Sequence, residues 1–137
     1  MYGIRAAILI SLKCEKDKES FIPIRQIAEE LNESFHFLTK ILQKLTQVSI
    51  MESYKGPNGG VRMAVPCEEV FLIDIIEAID GKEVFSSCLL GLPGCGDDDP
   101  CPLHEDWKIS RGRLAGVFQK TSLAKVAKDT RDFMFRS

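Results

Sequence analysis

Apolar residues recur with helical spacing in the first third of the chain and predict three helices. Tyr2 to about Lys13 is apolar nearly all round, which is typical of a buried helix. Pro23 is suited to open a second helix, and Ser34 can cap a third. The shared apolar faces consist of Ile24, Ile27, Ala28 and Leu31 in the second helix and Leu38, Ile41, Leu42, Leu45 and Val48 in the third. Because only Asn32-Glu33 separates these two helices, they form a predicted helix-turn-helix.

The outer face of the third helix is polar. In a helix-turn-helix, the second helix enters the DNA major groove with its N-terminal residues leading. The polar positions on this face are His36, Thr39, Lys40, Gln43, Lys44 and Gln47. An ordinary helical hairpin with a solvated polar face would show the same pattern, so these residues alone do not distinguish the two.

A basic hairpin is predicted directly after these helices. Met51–Tyr54 and Val61–Val65 have strand character, and Asn-Gly in the sequence Lys55-Gly-Pro-Asn-Gly-Gly between them is a strong turn signal. Lys55 and Arg62 flank the turn. A basic β-hairpin after a helix-turn-helix indicates a winged helix, whose wing carries cations to phosphates or to the minor groove. The alternative is a plain hairpin with two solvated charges, which the preceding helices disfavour.

Two further helices are predicted in the second half. Glu69–Asp80 is amphipathic, and Gly81 is suited to end it. Leu103–Lys120 has apolar positions at alternating steps of four and three, the heptad rhythm of a helix that packs lengthwise on another helix. The seam consists of Leu103, Trp107, Ser110, Leu114, Val117 and Thr121. We interpret this segment as a dimerisation helix, although the seam could also pack on its own domain.

A Gly/Pro/Asp-rich loop, roughly residues 82–102, precedes the dimerisation helix. Six residues separate Cys88 from Cys95, and five separate Cys95 from Cys101. Two more separate Cys101 from His104. Thiolates and an imidazole on a pliable backbone suit a metal or an iron–sulfur centre, and this spacing fits structural zinc less well than a cluster. Three free thiols in a loop would be the alternative.

The remaining cysteines carry no such pattern. Cys14 falls in a predicted charged loop, Lys13–Ser20, and is interpreted as incidental. Cys67 lies at the entrance of the helix that ends at Asp80 and is interpreted as structural. After the dimerisation helix, Thr121 or Ser122 is expected to cap a last short helix. The basic tail 131–137 is expected to fray.

Charge and composition narrow the class of protein. Residues 1–66 hold nine Lys/Arg against seven Asp/Glu, and residues 67–137 hold nine against thirteen. An anionic partner should therefore meet the first half. An odd number of cysteines and a loop reserved for metal favour a reducing compartment. No stretch approaches the roughly 20 apolar residues of a membrane span, so we expect a cytoplasmic protein.

The chain of 137 residues is long enough for one domain with an appendage. We predict a mostly α fold with three parts: a winged helix-turn-helix DNA-binding domain at 1–81, a cysteine-rich cluster-binding loop at 82–102, and a dimerisation helix with a C-terminal helix at 103–137. The sequence contains no Ser/His/Asp set, paired-carboxylate site or phosphate-cradling loop. An enzyme is therefore not expected, nor is a small-molecule substrate.

Taken in order, these elements resemble the IscR/NsrR-type (Rrf-type) family of winged-helix bacterial regulators across nearly the whole chain. The resemblance is carried by Tyr2-Gly-Ile-Arg-Ala, Ile24–Leu31 with Ser34–Leu45, the wing Lys55-Gly-Pro-Asn-Gly-Gly, Ile73-Asp-Ile-Ile-Glu-Ala-Ile-Asp-Gly81 and the three-cysteine loop. It implies a homodimeric repressor or activator that binds double-stranded operator DNA under the control of an iron–sulfur cluster. Such a regulator would sense redox state, nitric oxide or iron–sulfur status.

The resemblance also implies residue roles. By position, Cys88, Cys95 and Cys101 match the family's cysteine ligands, and His104 matches the histidine ligand of the IscR-like branch. This set favours a 2Fe–2S cluster over a 4Fe–4S cluster. Similarity assigns base contacts to Ser34, His36, Phe37 and Lys40, and groove insertion to Lys55. The DNA-binding set that we predict also includes Thr39, Gln43, Lys44 and Arg62.

The sequence departs from the family at two places. Cys88 and Cys95 stand one residue further apart than in the commonest pattern. The residues that usually precede the position of Tyr2, which supply a ligand in some branches, are absent, so His104 is the obvious fourth ligand and Met1 need not be the true start. Two other functions stay open: a metal-free thiol-based redox regulator, and a small iron–sulfur electron carrier that would leave the wing without a purpose.

Overall fold

The computed structural model of the chain describes residues 2–17, 19–57, 59–85 and 100–134. Within these ranges it is mostly helical with one two-stranded antiparallel sheet, as predicted. The elements are α1 (Tyr2–Lys16), α2 (Ile24–Leu31), α3 (Phe35–Gln47), β1 (Met51–Tyr54), β2 (Gly60–Met63), a 3-10 helix (Cys67–Glu69), α4 (Leu72–Asp80), a second 3-10 helix (Lys82–Phe85), α5 (His104–Lys120) and α6 (Leu123–Met134).

Helices α2 and α3 form the helix-turn-helix, and each boundary has a local cause. Pro23 precedes the first residue of α2, and its φ of −59° already suits a helix start. Asn32 ends α2 in the left-handed conformation with φ 53°. Ser34 then caps α3, because its hydroxyl accepts a hydrogen bond of 3.1 Å from the backbone N–H of Phe37. The turn fixes the direction in which α3 leaves the core.

Strands β1 and β2 form the wing, and its base is tied to the segment before α2. Met51 pairs with Met63 and Tyr54 with Gly60. Beyond this pair, the Ile22 and Val61 backbones exchange two hydrogen bonds of 2.8 and 2.9 Å. The second strand spans Gly60–Met63, whereas the pattern predicts Val61–Val65. It ends early because the chain turns after Met63.

The core lies where α1 is surrounded by α2, α3, α4, β2 and α6. Its largest fully buried side chains are Leu9, Ile10, Ile27, Leu38, Leu42, Leu45, Met51, Ile75, Leu123 and Val61. The prediction that α1 is buried is confirmed, but the helix extends to Lys16. Cys14 therefore lies in the helix rather than in a loop, and it is buried.

Helix α6 packs on α1, which the sequence pattern does not predict. Leu123 and Ala127 are fully buried in the core. The Leu123 N–H donates to the carbonyl of Val70 at 2.7 Å, and the Leu72 N–H donates to the carbonyl of Thr121 at 3.0 Å. Ser122 caps this helix, since its hydroxyl accepts from the Lys125 N–H at 3.1 Å. The helix continues to Met134, so the expectation that the chain frays from Arg131 is wrong for residues 131–134.

Helix α4 begins later than its apolar pattern predicts. Residues 67–69 form a 3-10 turn, and Phe71 makes a β-bridge with Ser122 before the helix starts at Leu72. The Asp74 carboxylate accepts from the Phe71 N–H at 2.9 Å, which fixes that start. Gly81 ends the helix with φ 88°. In the part of the chain described by the structure, no helix is both long enough and apolar enough to cross a membrane.

Candidate DNA interface and cluster-binding segment

A groove of about 630 Å³ lies between the two helices of the helix-turn-helix and the wing. Arg25 of α2, Gln43 of α3 and Lys55 of the wing all line it. Two of its described lining residues, Arg25 and Lys55, are cations, and no described lining residue is acidic. In a chain with 20 acidic residues, an acid-free groove that contains cations is a suitable surface for a phosphate backbone.

The outer face of α3 carries the predicted base contacts. Ser34, His36, Lys40 and Gln43 are exposed. Phe37 is also largely exposed, and an apolar side chain at the start of such a helix can contact a thymine methyl group. Thr39, Gln43 and Gln47, together with Phe35, belong to the wall of the groove. Contact of the predicted DNA-binding residues with DNA stays a prediction.

Two of the predicted DNA contacts also make hydrogen bonds within the chain. The Thr39 hydroxyl donates to the carbonyl of Phe35 at 2.8 Å, one helical turn back. The Lys44 ammonium donates to the carbonyl of Ile79 at 2.9 Å, in the last turn of α4. A cation at a helix C-terminus is favourable because it meets carbonyls without intrahelical partners. Lys44 therefore links α3 to α4.

The wing presents its two cations differently. Lys55 is exposed and lines the groove, as does Tyr54, which is also exposed. The Arg62 guanidinium, in contrast, donates to the Glu52 carboxylate and to the carbonyl of Glu19. It also lies 4.2 Å from the centre of the Phe21 ring. Because its Nε and Nη1 groups and its face are already in contact with the chain, Arg62 braces the wing against the segment before α2.

Arg25 is a candidate DNA contact that sequence reasoning missed. It lies in the first turn of α2, is exposed, and lines the groove. Its guanidinium carbon stands 5.2 Å from the centre of the Phe35 ring, so the two helices present a stacked pair at the entrance of the groove. The spacing pattern gives no signal for it, because an exposed arginine on a first helix resembles any solvated position.

Two of the four predicted cluster ligands, Cys101 and His104, are among the described residues, and they lie at or just before the start of α5. His104 is the first residue of this helix, is only 7% exposed, and donates its backbone N–H to the carbonyl of Cys101 at 3.0 Å. Cys101 is half-buried. Cys88 and Cys95 lie outside the described residues. Among the residues that are described, no three His, Cys, Asp or Glu side chains are grouped to hold a metal ion.

Helix α5 packs on α4, and much of its predicted seam faces outward. Leu114 is 44% exposed and Val117 is 57% exposed, whereas Trp107 and Thr121 are half-buried. Phe118 packs against the core from the adjoining face. Leu114 and Val117 of the seam are therefore not covered by the domain to which α5 belongs.

The helix-turn-helix, the two-stranded wing and the acid-free groove between them define a winged-helix protein of the DNA-binding class. The chain belongs to the Rrf2 family, described as iron-dependent transcriptional regulators, whose family model matches residues 1–129. The predicted family is confirmed. Membership makes the protein a transcriptional regulator rather than an enzyme, and it implies DNA as a partner.

Known relatives and solved structures agree with this assignment. The HTH-type transcriptional regulator IscR of Photorhabdus laumondii is 25% identical over 125 residues, which cover 91% of this chain and 74% of that protein. The structure of CymR, the global cysteine regulator of B. subtilis, superposes with a TM-score of 0.72 at 22% identity, covering 93% of this chain and 94% of the other. T. potens IscR also gives 0.72, at 19% identity, covering 99% and 88%. These two structural likenesses establish the fold alone.

Proposed function

We propose that the chain is a homodimeric transcriptional regulator that reads operator DNA with α3 and the wing. An iron–sulfur cluster, 2Fe–2S rather than 4Fe–4S, would be held by Cys88, Cys95, Cys101 and His104 and would control DNA affinity. The observation that carries the DNA-binding part is the groove with Arg25 and without acidic lining among the described residues. The burial of His104 supports the cluster.

The described donors fit such a cluster. Thiolate and imidazole are the ligands that iron–sulfur centres with mixed coordination use. His104 is one of two polar residues that are buried among the described residues, and its backbone N–H donates to the carbonyl of Cys101, three residues before it. A bound cluster would supply a centre that oxidants, nitric oxide or iron shortage can modify or remove.

The position of the ligands on α5 suggests how a change there reaches the DNA. His104 begins α5, Cys101 lies three residues before it, and later turns of the helix carry Leu114 and Val117. A shift at the start of α5 would therefore move the proposed dimer seam and, with it, the separation of two DNA-reading units. Half-site spacing is a geometric property of such dimers.

Helix α4 also connects the proposed cluster site to α3 through direct packing. Helix α5 packs on α4, and α4 packs on α3. The Lys44 ammonium joins the last two directly through the carbonyl of Ile79. We infer that Lys44 holds α3 in register with the cluster-bearing half, besides any contact that it makes with DNA. Coupling of this kind needs contacts that differ between two states.

The wing gives a direct test of DNA binding. Lys55→Ala should reduce the slope of log affinity against log salt by about one, because one phosphate contact that releases a counterion is lost. The measurement is fluorescence anisotropy over a range of salt concentrations, on duplexes that the parent protein has selected from a random library. Affinity should also fall across all of these duplexes.

Two variants serve as controls for Lys55. Lys128→Ala removes an exposed lysine of α6 and should leave the slope unchanged. Arg62→Ala should weaken binding with a smaller change in slope, since the guanidinium is already paired with Glu52. A Lys55→Ala protein with an unaltered salt slope would show that Lys55 makes no phosphate contact.

A further inference from the structure

A second group of sulfur atoms lies away from the cysteine loop, between α1 and the connector that leads from the wing to α4. Cys14 of α1 and Cys67 of the connector line one cavity of about 280 Å³. Neither residue belongs to the predicted ligand set or to the DNA-binding groove. Both are free cysteines.

Ser11 contacts Cys67 and shares a helix face with Cys14. The Ser11 hydroxyl donates to the Cys67 sulfur at 2.9 Å, and Ser11 itself is only 1% exposed. Ser11 and Cys14 are three residues apart on α1, so their side chains lie on the same face of the helix. Cys14 is buried, whereas Cys67 is half-buried and thus open to small solutes from the solvent side.

The surroundings of Cys67 determine how readily its thiol ionises. Burial is the main cause that raises the pKa of the Cys67 thiol, and the Ser11 hydroxyl opposes this by stabilising the thiolate. Electrostatic interaction with Cys14, Glu68 and Glu15 raises the pKa of Cys67 further. Cys67 is therefore a slow nucleophile at neutral pH, because only the thiolate reacts.

We propose that Cys14 and Cys67 form a second redox site, which closes to a disulfide when the protein is exposed to hydrogen peroxide. Two neighbouring thiols, one accessible and one buried behind it, form the arrangement in which a first oxidised cysteine is resolved by a second. The pair belongs to the winged-helix core, and its chemistry does not depend on the proposed cluster.

The reaction balances with peroxide as the only oxidant. The Cys67 thiolate attacks one peroxide oxygen and the O–O bond breaks, which gives a sulfenic acid and, after protonation of the leaving hydroxide, water. The Cys14 sulfur then attacks the Cys67 sulfur. The S–S bond forms, the S–O bond breaks, and hydroxide leaves as water with the proton of Cys14. The two thiols lose two electrons in total, and peroxide gains them.

The bond would tie α1 to the connector after β2. Helix α1 contacts β2 as well as α4, so the disulfide would fix the base of the wing to the helix at the centre of the core. Because the Cys67 thiol reacts slowly, the pair would respond to strong or sustained oxidant.

The test is peptide mapping of the reduced full-length protein after treatment with hydrogen peroxide. Remaining thiols are alkylated, the protein is digested without reduction, and cross-linked peptides are identified by mass. A peptide pair joined through Cys14 and Cys67, lighter by two hydrogen atoms, should be the main cross-link of these two residues. The same treatment in denaturant should scatter the pairings, because the folded geometry is lost.

Two variants sharpen this test. Cys14→Ser should abolish the cross-link and leave Cys67 as a trappable sulfenic acid. Ser11→Ala should slow closure several-fold at neutral pH, because the hydroxyl that stabilises the Cys67 thiolate is gone. The proposal is overturned if both cysteines remain alkylatable after the loop cysteines have been oxidised. It is also overturned if either one pairs mainly with a loop cysteine in the folded protein.

Discussion

Replacing Leu114 and Val117 together by aspartate should produce a folded monomer that binds operator DNA at least about 100-fold more weakly than the parent protein. Both side chains are largely exposed on α5, so the changes should cost little within one chain. In a dimer seam, however, four uncompensated carboxylates would be buried. The measurements are sedimentation equilibrium and anisotropy on a selected duplex.

Ile109→Asp is the matched control for this double variant. Ile109 is 54% exposed on the same helix, but helical periodicity places it on a different face from the seam. It should leave the protein dimeric with parental affinity. A double variant that is still dimeric would contradict the proposed seam, and the alternative packing of α5 on its own domain would then be preferred.

Gly60→Ala should lower the free energy of unfolding by about 2–4 kcal/mol. Gly60 has a φ of 151°, which side chains with a Cβ rarely adopt, and an added Cβ would lie 2.0 Å from the carbonyl oxygen of Ile22. That oxygen accepts the Val61 N–H at 2.9 Å. The substitution must therefore break the bridge that ties the wing to the segment before α2. Urea unfolding measures the loss, and DNA affinity should fall with it.

Gly112→Ala is the contrasting substitution. Nothing lies within 4 Å of a Cβ built at Gly112, which occupies the interior of α5. Alanine is favoured over glycine there by roughly 1 kcal/mol, so this variant should be slightly more stable than the parent. Unchanged stability of Gly60→Ala, measured beside it, would mean that the Ile22–Val61 bridge contributes little to the fold.

The winged helix could be predicted because its boundaries are encoded locally. Pro23, Asn32 and Ser34 each determine one helix end through their own backbone or side-chain chemistry, and the structure has them in those roles. The first strand has the predicted bounds. Asn-Gly in the wing is likewise a local signal, so short-range chemistry and hydrophobic periodicity together suffice for the order of elements in residues 24–63, although not for the bounds of the second strand.

Contacts between distant segments could not be predicted. The packing of α6 on α1, the Phe71–Ser122 bridge and the meeting of Ser11 with Cys67 join residues that are about 50 or more positions apart. No periodic pattern records such pairings. Cys14 and Cys67 were therefore interpreted separately, as incidental and structural, although they share one cavity.

The candidate cluster site and the cations of the wing could be predicted only in part. Spacing indicated metal chemistry in the cysteine loop, but only resemblance supplied the four-ligand set. The structure adds the burial of His104 beside Cys101. For the wing, the sequence places Lys55 and Arg62 on either side of the turn and includes both in the predicted DNA-binding set. The structure distinguishes them, because Arg62 is bonded to Glu52 and to the Glu19 carbonyl.

Iron and acid-labile sulfide content, measured on anaerobically purified protein, tests the proposed cluster most directly. We expect stoichiometric iron and sulfide with charge-transfer absorption in the parent protein and in Cys14→Ser, and loss of both in Cys101→Ala. A colourless parent protein without iron or sulfide, even after anaerobic reconstitution, would contradict the cluster. The winged-helix regulator would then remain, and its signal would have to act through zinc or through the thiols themselves.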